Sequence, residues 1–97
     1  MPEPPAILIR IPSPLRCYTC GADMVAVNGD SVADALAALG RQHPGILERV
    51  LDDSGELRQF VHVFLGAANI HTMEGLGTHL ETDDILAIIP AVAGGAP

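Results

Sequence analysis

At 97 residues the chain has room for one domain, whose folding buries well over half of the surface the unfolded chain would expose. Twelve acidic residues face five basic ones, a net charge of -7 that repels a phosphate backbone and argues against a nucleic-acid partner. No apolar run approaches the roughly 18 residues of a membrane-spanning helix, and Met1-Pro2-Glu3-Pro4-Pro5 lacks the basic start of a secretory signal. A soluble, cytoplasmic protein without a membrane partner is expected.

Ala6 to Ile11 is short, rich in β-branched residues and closed by Pro12, which predicts a strand. Ser13 to Gly21 reads as a loop carrying both cysteines, and Asp23 to Val27 reads as a second strand ended by the turn cluster Asn28-Gly29-Asp30. Asp30 or Ser31 can cap the helix that follows, where Val32, Ala35, Leu36 and Leu39 recur at helical spacing until His43-Pro44-Gly45 stops it. Ile46 to Leu51 suits a short helical turn, and Asp52-Asp53-Ser54-Gly55 a bend. Phe60 to Leu65 is the strongest strand signal, with both alternating faces largely apolar. A turn and a very short strand fit residues 66–71, an irregular crossing fits 75–80, and Asp83-Asp84 leads into a last strand, Ile85 to Ile89. A helix over one face of a mixed sheet is an α+β arrangement.

Beyond that last strand lies Pro90-Ala91-Val92-Ala93-Gly94-Gly95-Ala96-Pro97. Glycine has no Cβ, so Gly94-Gly95 can thread a channel too narrow for other residues and deliver a carboxylate to an enzyme. The carboxyl group of Gly95 is, however, committed to a peptide bond with Ala96.

The element order, with Leu80-Glu81-Thr82-Asp83-Asp84 before the last strand and Pro90-Ala91-Val92-Ala93-Gly94-Gly95 after it, resembles the MoaD/ThiS family of sulfur carriers over nearly the whole chain. Pro44-Gly45-Ile46 and Leu57 to Val63 look most like its CysO branch. The resemblance implies a ubiquitin-like β-grasp fold, with a mixed sheet of four to five strands on one main helix. Residues 1–97 would then be a single domain with flexible ends at 1–5 and 91–97. It also implies that a ThiF/MoeB-like adenylyltransferase uses ATP to activate the Gly95 carboxylate, and that sulfur displaces AMP to leave a thiocarboxylate. The carrier itself would be no enzyme and would hold no permanent cofactor. Gly94 and Ala93 would form the narrow tail, and a JAMM-type zinc metalloprotease would cut between Gly95 and Ala96. A PLP-dependent, cysteine-synthase-like enzyme is the expected acceptor, so cysteine or another sulfur metabolite is the expected product.

If the last strand is threaded as in ubiquitin-like folds, Leu86 and Ile88 point inward and Ile85, Ala87 and Ile89 outward. Val61, Val63 and Leu65 would join the core, leaving Phe60, His62 and Phe64 beside Ala87 and Ile89 as a docking patch for a partner. Coverage of that face by the loop after Gly66, or by a second copy, is the competing reading. Cys17 and Cys20 have the spacing of a redox or metal half-site, but His43, His62, His71 and His79 show no spacing that completes a metal site. They are read as inert thiols, with no metal expected. Three other functions compete: an interaction module whose tail is never thiolated, a modifier joined through Gly95 to a target Lys, and the small subunit of a molybdopterin-synthase-like complex.

Overall fold

The computed structural model describes residues 4–90. Strands β1 (Ala6–Arg10) and β2 (Met24–Asn28) pair antiparallel, with Leu8 opposite Ala26. Helix α1 (Val32–Gln42) and a single turn, α2 (Leu47–Val50), follow. The remaining strands are β3 (Val61–Leu65), the two-residue β4 (Ala68–Asn69) and β5 (Ile85–Pro90). They form one mixed sheet in the order β2-β1-β5-β3-β4. The last strand therefore lies in the middle, parallel to β1 and antiparallel to β3.

Period-two alternation sorts the strands into an inner and an outer face. Ile7, Ile9, Val25, Val27, Val63, Leu86 and Ile88 point inward and are buried, together with Val32, Ala35, Leu36 and Leu39 from α1. The Ser31 hydroxyl caps α1 by accepting from the Asp34 N–H at 3.2 Å, and Asp34 adds a negative charge to the first turn. Asp30 therefore does not act as the cap. Gly29 is buried where the chain turns into the helix, and a Cβ there would lie 2.7 Å from the Ala35 backbone nitrogen.

The long connection from β4 to β5 is fastened to this helix start. Val32 N–H donates to Thr78 O at 3.1 Å, and Leu80 N–H to Asp30 O at 2.8 Å. Buried Thr78 satisfies its hydroxyl on Gly75 O at 2.7 Å, while Leu80 and Ile70 are buried in the core. Asp83 then takes a left-handed φ of 74°, and its N–H donates to Ala6 O at 2.9 Å, setting β5 alongside β1. Asp is among the residues that tolerate this conformation.

Three sequence expectations change. Ser13–Thr19 is a 3-10 helix rather than a loop, with Pro14 near its start, where no helical N–H is lost. Phe60 lies outside β3, in a turn closed by Val61 N–H to Arg58 O at 3.0 Å. Val61 and Leu65 are only half-buried, because α1 packs over β2 while a short 3-10 helix, Ile70–Thr72, lies against β3. Val63 alone of the three is fully buried.

Because Leu86 fills the centre of the core and Ile89 on the same strand faces outward, Leu86→Ala should lose about 2–5 kcal/mol of stability. Ile89→Ala should stay within about 0.5 kcal/mol of the parent; urea denaturation of both variants checks the contrast. Gly29→Ala should cost about 1–3 kcal/mol by the same measurement, since its methyl group meets main-chain atoms that cannot rotate away. Ser31→Ala should cost about 1 kcal/mol through loss of the cap.

Candidate functional site

The site is the outer face of the sheet together with the end from which β5 leaves it. Among the expected patch residues, His62 stands opposite Ile89 and Phe64 opposite Ala87 in the antiparallel register. These four side chains alternate onto the face away from α1. Ile89 is 45% exposed, His62 is exposed, and Phe64 and Ala87 are half-buried. Phe60, 47% exposed, sits one residue before the strand.

The apolar surface extends further than the expected patch. Across the parallel register Leu8 stands opposite Ile85, and these are 37% and 38% exposed. Leu8 was hard to assign from sequence because Ala6 to Ile11 is a nearly continuous apolar run whose composition does not reveal the outward positions. The loop after Gly66 forms β4 on the outer edge of β3, and Asn69 Nδ2 approaches His62 Nδ1 at 3.4 Å. Ile85 and Ile89 keep their exposure with that loop in place.

A groove of about 540 Å³ runs along β5 from Ile85 and Gly66 to Pro90, bordered by Arg10, Pro12 and Arg16. Arg10 is the register partner of Ala87, and the Arg16 Nε donates to Ile11 O at 3.1 Å. Two of the five basic residues of an acidic chain thus border an apolar groove along the strand that leads to the tail. The sequence reading missed both arginines. Arg10 falls on the outward parity of β1, a detectable signal, but Arg16 reaches the groove only because residues 13–19 coil back as a helix.

The 3-10 helix carrying Cys17 is held in place by its neighbours. Leu15 and Thr19 are buried, and the Thr19 hydroxyl bonds Ala22 O at 2.7 Å. The Tyr18 ring lies over Gly45, where an added Cβ would be 3.3 Å from the ring. The Tyr18 hydroxyl accepts from Arg49 Nε at 2.8 Å. The Arg49 guanidinium is held above the ordinary arginine range, first by that hydrogen bond and then by its electrostatic interaction with Tyr18, against a smaller opposing effect of desolvation. Both cysteines are free and exposed.

Gly95, Gly94, Ala93 and Ala96, the expected carrier, tail and processing positions, lie outside the described residues. Among the described residues no cluster of three or more His, Cys, Asp or Glu side chains could hold a metal ion, and no helix is long and apolar enough to cross a membrane.

Comparison with known proteins places this geometry among small carriers and modifiers. Over 91 residues the chain is 34% identical to the sulfur carrier protein CysO of Mycobacterium tuberculosis, covering 92% of this chain and 98% of that protein. The crystal structure of the mycobacterial CysO superposes with a TM-score of 0.84 at 32% identity, covering 89% of this chain and 99% of the other. A chain of the Amycolatopsis orientalis BexX/CysO complex gives a TM-score of 0.86 at 30% identity, over 92% of this chain and 99% of that one. Small archaeal modifier protein 1 of Haloferax volcanii is 39% identical over 72 residues, 73% of this chain and 78% of its own length. The ubiquitin-like β-grasp architecture expected from the sequence is the one observed, a mixed five-stranded sheet with one main helix. The family model of the ThiS family matches residues 9–95, and the chain belongs to that family.

Proposed function

We propose that this chain is a sulfur carrier that holds sulfide as a thiocarboxylate on Gly95 and delivers it to the biosynthesis of cysteine or another sulfur metabolite. The observation that carries the reading is that the family match runs through Gly95 and stops one residue short of Ala96. Its identity to CysO sulfur carriers over nearly the whole of both chains supports the same assignment.

A carboxylate is a poor electrophile, so sulfur cannot replace its oxygen directly. In the proposed sequence a ThiF/MoeB-like partner transfers AMP from ATP to the Gly95 carboxylate and releases pyrophosphate. A sulfur nucleophile then attacks the acyl carbon and AMP leaves. All of the chemistry belongs to the partner; the carrier contributes a substrate carboxylate and a surface by which it is recognised. That surface is the outer sheet face, with Ile89 and His62 toward the tail, Ala87 and Phe64 behind them, and Phe60 at its margin. Acidic charge elsewhere on the carrier favours a partner with a basic docking surface.

The Gly95 to Ala96 peptide bond must be hydrolysed before any of this can occur, a task suited to a JAMM-type metalloprotease. After thiolation, a PLP-dependent, cysteine-synthase-like enzyme would accept the sulfur. A second reading is supported by the similarity to the Haloferax small archaeal modifier: the activated Gly95 would instead be joined to a lysine of another protein. This chain contains no Lys, so it could not serve as its own acceptor.

Intact-mass analysis of protein from the native host tests the carrier directly. The expected species ends at Gly95, partly with one oxygen replaced by sulfur. A population that always retains Ala96, or Gly95 found only in isopeptide linkage, would exclude it. In an ATP–pyrophosphate exchange assay with the activating enzyme, a chain ending at Gly95 should be a substrate and one retaining Ala96 should not. Ile89→Asp should raise the KM of that exchange about tenfold, equivalent to about 1.4 kcal/mol of binding, while leaving the thermal unfolding midpoint nearly unchanged.

A further inference from the structure

The 3-10 helix Ser13–Thr19 and its cap hold two thiols in an arrangement that the carrier chemistry does not use. Cys17 lies in the last turn of this helix, and Cys20 caps it in a left-handed conformation, φ 56°, with its N–H on Arg16 O. Tyr18 and Thr19 are the anchored pair in this turn: Thr19 is buried on Ala22 O, and Tyr18 is fixed between Gly45 and Arg49. Cys17 and Cys20 flank them, and both are exposed. The dihedral angles that separate their Cα atoms are those of Tyr18 and Thr19, which are helical. One helical turn at about 1.5–2 Å per residue puts those Cα atoms about 5–6 Å apart, within the range of about 4.4–6.8 Å over which disulfides form.

A metal is the other use of a Cys-x-x-Cys pair, but it needs further ligands. Among the described residues, no third His, Cys, Asp or Glu joins these two to make a metal-binding group. A disulfide needs only the two thiols already present. We propose that Cys17 and Cys20 form a reversible intramolecular disulfide, a modification site whose co-substrate is a low-molecular-weight disulfide. One cysteine thiolate attacks a sulfur of that disulfide and expels one thiolate, giving a mixed disulfide. The second cysteine thiolate attacks the protein sulfur of the mixed disulfide and expels the other. Two protein thiols are oxidised to one S–S bond, the reagent is reduced to two thiols, and the two protons lost by the protein pass to the expelled thiolates. The second step is intramolecular between groups on one rigid turn, so it outpaces attack by a second reagent molecule.

The pair sits at the end of the sheet from which the tail departs. Arg16, immediately before Cys17, lines the same groove as Pro90, the last residue of β5. Closing the ring fixes the turn that carries this groove arginine.

The test treats the full chain with excess oxidised glutathione under non-denaturing conditions, followed by acid quench and intact-mass measurement. The expected product is a monomer lighter by two hydrogen atoms and without glutathione; iodoacetamide labels two thiols before treatment, none after it and two again after reduction. Cys17→Ser should instead stop as a glutathione adduct on Cys20. A wild-type protein that remains reduced, accumulates stable glutathione adducts or forms only disulfide-linked dimers would overturn the proposal. So would stoichiometric binding of added zinc that blocks alkylation of both thiols, an outcome that assigns the pair to a metal.

Discussion

The placement of β5 between β1 and β3 is the constraint on which the rest of the structure depends. Its backbone is hydrogen-bonded on both edges, while Leu86 and Ile88 enter the core from its inner face. Each end of the chain thereby stabilises the other: β1 has a parallel neighbour only once β5 has returned, and β5 emerges in a fixed direction only because β1 and β3 hold it. The Asp83 turn sets this alignment by joining residue 83 to Ala6. A late-sequence strand that completes an early hairpin makes the sheet depend on non-local contacts, which also places the tail on the best-supported strand rather than at an edge.

The same alternation that fills the core creates the outer face. A central strand cannot put Leu86 and Ile88 inside without placing Ile85, Ala87 and Ile89 outside. In a self-contained protein those outward positions would carry polar residues, as usually happens when one face of a sheet meets water. Here they are apolar, and Leu8 and Phe64 continue the surface onto both neighbouring strands. Arg10 and Arg16 border this region along β5, so the acidity of the whole chain does not describe its local charge there.

Much of this was legible in the sequence. Helix α1 was readable because Val32, Ala35, Leu36 and Leu39 repeat at helical spacing behind a Ser cap. The inward and outward residues of β5 followed once the strand was placed in the middle of the sheet. Other features were hidden by chemistry that leaves no periodic mark. Ser13–Thr19 is bounded by Pro12 and contains Pro14, and its three-residue repeat is too short to stand out from a loop. Phe60 has a strong strand preference, yet the turn closed by Arg58 excludes it from β3. The groove gathers residues from β1, the 3-10 helix and β5, and its composition emerges only when those segments are brought together. Gly94-Gly95 was the plainest signal in the chain, and its significance came from resemblance rather than from geometry.

The central position of β5 also has a mechanical consequence. A force applied to the chain beyond Pro90 pulls along the axis of β5. The hydrogen bonds to β1 and β3 run across that axis, so the load falls on them together in shear instead of peeling them apart one at a time. A tail on an edge strand would invite unzipping from its free end. A last strand gripped on both sides lets the fold bear such a pull without unravelling.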